Sequence, residues 1–201
     1  MARSHLLLTL AWVAYGFLHS LLATARVKDK FRQVLGGGFR YYRLMYSLLA
    51  LILLALLIFW QLKIPSLPLW KPTLYTRIPA FLVVLAGIAG IFICLKKYLV
   101  SPEGFADLFF EGRKPALQTG GLHRIVRHPL YLSTFIFLTG LLLAFPSVSF
   151  TMATAVIIIY TILAIPLEEK KLVDLYGEEY LRYKQKVPPL LPRWGKSRLV
   201  D

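Results

Sequence analysis

The sequence predicts an all-α integral membrane protein of five transmembrane helices, the last two closed into a hairpin. Three observations predict it. Apolar residues make up 57% of the 201 and charged residues only 17%, with a mean hydropathy of +0.61; a soluble domain carries about 45–50% and roughly 25%. The apolar excess is gathered into runs without a single charge: Leu6–Leu22, Leu44–Trp60, Ile78–Leu95, Leu130–Phe145 and Phe150–Leu167. Lys and Arg, finally, concentrate in alternate connections. A soluble globular domain is excluded. The single cysteine, Cys94, also excludes a disulfide framework and any cysteine-based metal site.

A bilayer core takes about 20 apolar helical residues, with a working range of roughly 17–25. Four of the runs meet that minimum, and the fourth in order, Leu130–Phe145, falls just short; it is expected to tilt or thin the bilayer. The first run follows Arg3 and is followed by Ala23-Thr24-Ala25, which imitates a secretory signal with its cleavage site. The bases after Ala25 resist export and the run exceeds a typical signal core, so the reading is a retained helix. His19 inside it is notable, because ionisable groups are expensive in lipid. A neutral histidine bonded to a neighbouring helix backbone explains it without a function.

The first connection holds Arg26, Lys28, Lys30, Arg32, Arg40 and Arg43 against Asp29 alone. Its Gly36-Gly37-Gly38 lacks the Gly-Lys-Ser/Thr of a phosphate loop and reads as a flexible turn. The second connection has only Lys63, Lys71 and Arg77, and the hairpin turn Pro146-Ser147-Val148-Ser149 has no charge. From Lys96 to Arg127 there are six bases and three acids, and from Glu168 onward eight bases and six acids. Loops rich in Lys and Arg stay cytoplasmic. The N-terminus is therefore expected outside and the C-terminus inside, which five spans allow. The net charge of +14 is topogenic and attracts anionic headgroups. Nucleic-acid binding is not expected, for no recognition module accompanies the bases.

Residues 1–100 read as three N-terminal helices, and 101–201 as an interfacial loop, the hairpin and a tail. In the loop, Phe105, Leu108, Phe109 and Phe110 stand among glycines and prolines. They suit either a surface connector or a gate for a substrate dissolved in the membrane.

Composition cannot explain the polar pattern between Gly120 and Pro192. Pro129 suits the first position of the fourth helix, where its missing N–H costs nothing. Arg124, Arg127 and His128 then place positive potential at that helix start, an anion-binding arrangement. Were 121–128 helical, Arg124 and His128 would share a face. Snorkelling arginines are the plainer explanation. Past the fifth helix, which Pro166 is expected to kink, come Glu168 and Glu169, with Lys170 and Lys171 as natural salt-bridge partners. Gly177 reads as a helix stop. A short helix then carries Glu178 and Glu179 first and Lys184 and Lys186 last, as its dipole prefers. Val187-Pro188-Pro189 must be extended.

Two motifs carry a resemblance. Arg127-His128-Pro129-Leu130-Tyr131 opens a span. Glu168-Glu169 follows the hairpin and leads through Leu172, Tyr176-Gly177, Tyr180 and Tyr183 to Val187-Pro188 and Pro192. This resembles the isoprenylcysteine carboxyl methyltransferase superfamily, which also includes phospholipid and methanethiol methyltransferases. Leu18-His19-Ser20 and Tyr42-Arg43-Leu44-Met45-Tyr46 look like its bacterial members, which implies a bacterial inner membrane. Lys170 and Pro189 stand where many relatives have arginine, so a planar bidentate donor for a prenylcysteine carboxylate is absent there.

The resemblance implies a cytoplasmic tail that binds S-adenosylmethionine, with no metal. It carries over Arg127, His128, Tyr131, Glu168, Glu169, Tyr180, Tyr183, Val187, Pro188 and Leu191 as cofactor-binding positions. Glu169, His128 and Arg127 are the implied catalytic set, with His123 a further candidate base. The implied acceptor is a small or lipophilic thiol, carboxylate or amine that enters from the lipid. Two other readings are weighed beside it. A membrane sterol or enone reductase using NADPH shares the Arg-His-Pro-x-Tyr element, but shows Asp-Glu-x-x-Cys and a tryptophan where this chain has Leu172 and Tyr180. A non-enzymatic membrane partner protein is the other.

Overall fold

The computed structural model describes residues 2–100 and 116–192, and only the backbone of 97–100. Phe105, Leu108, Phe109 and Phe110, with most of the candidate gate, lie outside the described residues. The described chain is helical: α1 Ala2–Leu22, α2 Ala25–Leu35, α3 Tyr42–Lys63, α4 Leu74–Val100, α5 Pro129–Ala144, α6 Val148–Tyr176 and α7 Glu178–Lys186, with 3-10 turns at Gly36–Tyr41 and Gly121–Arg124. The described residues form no strand beyond an isolated bridge between Pro68 and Ser147.

Four helical stretches are long and apolar enough to cross a membrane: Ala2–Leu22, Ala25–Lys63 with α3 inside it, Leu74–Lys96 and Val148–Tyr176. The protein is a multi-pass membrane protein, and its outward face agrees. Leu51, Phe59 and Leu85, each about 60% exposed, belong in lipid, because a soluble monomer seldom displays so continuous an apolar surface. The sixteen residues of α5 rise only about 24 Å, against a hydrocarbon core of about 30 Å. α6 has the opposite geometry. Its 29 residues extend about 43 Å, so the apolar part up to Leu167 leaves Glu168 and Glu169 just beyond a core's thickness. The helix continues unbroken through Pro166.

The chain gathers into two compact units. In the first, Met1–Lys71 with Pro146–Tyr160, the core is Leu8, Trp12, Leu57 and Ala153. The Trp12 indole N–H donates to Gln61 Oε1 at 2.8 Å, so both buried polar groups are satisfied. One end is knitted by main chain: the amides of Leu69 and Val148 donate to the carbonyls of Pro146 and Leu67. At the other end Tyr42 donates to the Leu22 carbonyl at 2.8 Å. His19 bonds the Tyr46 hydroxyl at 2.9 Å. Its ring partner is thus a tyrosine side chain rather than the neighbouring backbone.

Within the first connection residues 25–35 form α2, and the three glycines open a 3-10 turn. Charge density had hidden an apolar period at Val27, Phe31, Val34 and Leu35.

In the second unit, which includes Pro72–Lys97, 116–145 and 161–192, α4 and α5 meet backbone to backbone. A Cβ on Gly87 would lie 2.5 Å from the Phe137 nitrogen, and one on Gly140 would lie 2.6 Å from the Val84 nitrogen. Such close approach is how small residues hold helices together where lipid supplies no hydrophobic drive.

Candidate functional site

The site lies in the second unit, where the start of α5, the polar end of α6, and α7 with its following segment converge. His128 precedes Pro129, which restricts it to a non-helical backbone (φ −118°, ψ 63°). The preceding 3-10 turn ends at Arg124, and Arg124 and His128 do not share a helical face. The break turns the amides of Arg127 and His128 outward, where they donate to the carbonyls of Pro188 at 2.8 Å and Pro189 at 3.0 Å. Gly177, with φ +58°, makes the reversal between α6 and α7 that brings those carbonyls back; a side chain there would be strained.

Ion pairing reinforces the strap. Arg127 donates from Nε at 2.9 Å and Nη2 at 2.6 Å to Glu169 Oε1. Its Nη1 donates to the carbonyls of Lys184 and Val187. Lys184 Nζ lies 2.7 Å from Glu169 Oε2. Both oxygens of Glu169 are therefore occupied by cations from two other segments, and Lys170 and Lys171 do not pair with it. The Arg127 and Glu169 side chains are only 7% and 8% exposed. In that setting, removing either member of a pair is strongly destabilising.

Glu168 differs. Its side chain is 43% exposed. Oε2 accepts the Tyr131 hydroxyl at 2.8 Å, whereas Oε1 has no partner among the described residues. His128 lies between the two carboxylates, Nδ1 3.5 Å from Glu168 and Nε2 3.4 Å from Glu169. Its ring stacks on Tyr131 with centroids 5.4 Å apart and planes 9° apart.

α7 presents Tyr180, Tyr183 and Lys184, with Val187 following, on one face at helical spacing. Tyr180, Tyr183 and Val187 form a core with Leu117, Leu172, Val173 and Tyr176. Tyr183 donates to the His123 carbonyl at 2.7 Å. The Tyr180 hydroxyl is buried and makes no hydrogen bond of good geometry among the described residues, although the Arg127 guanidinium is close enough to act on it as a donor. Burial first, and then the charge of Glu169, pushes its pKa up to about 12; burial and then Tyr180 do the same to Tyr183. Both hydroxyls are neutral donors at physiological pH.

Of the sequence-predicted positions, Arg127, His128, Tyr131, Glu168, Glu169, Tyr180, Tyr183, Val187 and Pro188 come together, whereas the Leu191 side chain is 76% exposed. Lys184 also belongs to the cluster, outside the positions that the resemblance carries over, and the Pro189 carbonyl joins it through the main chain. Lys184 was readable as the i+4 neighbour of Tyr180; the carbonyl had no sequence signal. No group of three or more His, Cys, Asp or Glu side chains among the described residues is arranged to hold a metal.

The phospholipid methyltransferase family model matches residues 75–179. The chain is 31% identical over 196 residues to methanethiol S-methyltransferase 1 of Bradyrhizobium diazoefficiens, covering 89% of this chain and 63% of that protein. It is 27% identical to the methanethiol S-methyltransferase of Crocosphaera subtropica, covering 91% and 72%. With the protein-S-isoprenylcysteine O-methyltransferase of Schizosaccharomyces pombe it shares 32% identity over 133 residues, 58% of this chain and 56% of that one. It thus spans somewhat under two thirds of the first relative's length. No solved structure matches the chain.

Proposed function

The chain belongs to the phospholipid methyltransferase family, and from that premise we propose that it transfers a methyl group from S-adenosylmethionine to a small thiol at the inner face of a membrane. Methanethiol is the acceptor named for relatives that align with nearly the whole chain, whereas the prenylcysteine relative aligns with 58% of it. The observation that carries the site assignment is the strapped tail: two main-chain bonds and the Arg127–Glu169–Lys184 cluster close α7 and Val187-Pro188-Pro189 over the start of α5.

The residues suit the cofactor. A half-exposed carboxylate with an open oxygen, Glu168, fits an ammonium or ribose hydroxyls. Bound there, S-adenosylmethionine supplies a methyl group on a sulfonium whose leaving group is a neutral thioether. The chain's own tasks are alignment and exclusion of water. Arg127 and Glu169 spend their hydrogen bonds on each other and on the tail, so they act as positioning residues that hold the cradle shut. Tyr131 orients Glu168, and Tyr183 fixes α7 to the 3-10 turn.

A thiol acceptor must lose its proton as its sulfur gains the methyl group. Both His128 nitrogens already face carboxylate oxygens, so the ring orients that pair, and the proton passes to water at the exposed edge of Glu168.

The membrane layout follows the charges. α5 completes five spans as the short member of the hairpin, the basic connections face the cytoplasm, and residues 101–201 supply the cofactor site. The full chain in bacterial-lipid vesicles, supplied with S-adenosylmethionine and methanethiol, is expected to release dimethyl sulfide into the headspace. If it releases none while methylating a prenylcysteine peptide, the acceptor assignment is wrong. Turnover of an enone with NADPH would displace the methyl-transfer reading altogether.

A further inference from the structure

The helix α2 has no place in the site just described, yet its construction is specific. At 100° per residue, Val27, Phe31, Val34 and Leu35 fall within an arc of about 100°. Arg26 and Lys30 flank that arc on one side, Lys28 and Arg32 on the other. Asp29 and Gln33 occupy the opposite face. This is the arrangement of a helix lying in a membrane surface: apolar side chains enter the acyl boundary, and long cationic side chains at the edges reach headgroups while their stems stay in apolar surroundings.

The exposure pattern fits. No residue of α2 is buried, and Val34, Phe31 and Leu35 are 82%, 39% and 37% exposed. The protein itself covers this apolar face only in part and leaves Val34 almost bare. The helix is nevertheless anchored where an interfacial element should be. α1 ends at Leu22 and α3 begins at Tyr42, so both ends of α2 are tied to helices that enter the membrane. Phe31 packs on Tyr42 with centroids 5.1 Å apart, and the Arg32 guanidinium sits 4.6 Å from the centroid of the Phe39 ring. Arg40 and Arg43 extend the basic surface, giving six cations against Asp29 across residues 25–43.

We infer that α2 is an in-plane helix that docks on anionic lipid headgroups, with Val34 inserted in the acyl boundary and Arg26 and Lys30 at the headgroup level. Charge complementarity selects this occupant: Arg32 on one edge is already paired with Asp29 at 3.0 Å, whereas Arg26 and Lys30 on the other edge are exposed and fit an anionic surface. The inference stands on the membrane character of the chain and is independent of the methyl-transfer reading.

The test uses the full chain reconstituted in equal parts phosphatidylcholine and phosphatidylglycerol. In a Cys94→Ser background, Val34→Cys or Asp29→Cys carries a fluorophore, and either lipid is supplied in brominated form as the quencher. Brominated lipid is expected to quench the label at position 34 and to spare that at 29, with phosphatidylglycerol the stronger quencher. Arg26→Gln with Lys30→Gln, both exposed positions, should reduce that lipid preference by about fivefold per cation, the equivalent of about 1 kcal/mol each. Equal quenching at 29 and 34, quenching at 34 by aqueous iodide instead, or a preference unchanged in the double variant would each overturn the inference.

Discussion

Replacing Glu169 by Gln tests the strap. The substitution keeps the shape, removes the charge, and leaves the Arg127 guanidinium, 7% exposed, without its anion. Breaking a buried pair from one side costs about 3–5 kcal/mol. The lower figure applies here, because the amide oxygen still accepts one bond from Arg127. Lys184 adds little, since its side chain is 44% exposed and solvent compensates it. Only the docking of α7 and the segment after it depends on this cluster, so the loss falls on local opening rather than on the helices in the membrane. The reporters are the Arg127 and His128 amides, held by Pro188 and Pro189. A loss of about 3 kcal/mol accelerates their exchange roughly 150-fold. Hydrogen-exchange mass spectrometry of the full chain in nanodiscs reads this on the peptide spanning 123–131. Turnover should fall in parallel. Unchanged protection with lost turnover would mean that Glu169 acts chemically rather than as a clamp, and unchanged turnover would remove it from the account.

Other outcomes follow from the same geometry. Glu168→Gln should leave exchange at Arg127 and His128 as in the parent chain while weakening S-adenosylmethionine binding about tenfold in calorimetric titration, roughly the worth of one hydrogen bond to a charged group. Tyr180 and Tyr183 keep their protons up to about 12 in the fold, against about 10 in the unfolded chain. Their contribution to tail docking is complete below pH 10 and is lost as pH rises from 10 to 12; phenolate absorbance, compared with Tyr180→Phe, should show the late titration. Gln61→Leu strands the buried Trp12 N–H and should cost about 1–3 kcal/mol in thermal unfolding in detergent. Gly140→Leu drives a side chain into the Val84 backbone and should cost about 3 kcal/mol by the same measurement.

Much of this was legible in the sequence, and physics decides which parts. Long apolar runs mark membrane helices because a helix satisfies its own backbone in lipid, and all five runs became helix but for Phe145 at the end of the fourth. Gly177 and the order of charges in α7 specify that reversal and helix locally, so both were readable. The contents of the first connection were not, since charges at the edges of α2 masked four apolar positions. Pro129 marks a helix start by itself, and the same ring bars His128 from helical backbone. The partners of Glu169 were unreadable for a different reason. Lys170 and Lys171 are adjacent in sequence but point elsewhere on α6, while Arg127 and Lys184 arrive through tertiary folding. Main-chain acceptors such as the Pro189 carbonyl leave no trace in residue identity.

The central claim is that the strapped junction of α5, α6 and α7 holds the methyl donor. Photo-crosslinking the full chain in nanodiscs with radiolabelled S-adenosylmethionine, followed by peptide mapping, tests it most directly. The label is expected on the peptides covering 123–131 and 176–192, competed away by unlabelled cofactor. Competable label confined to residues 1–71 would contradict it.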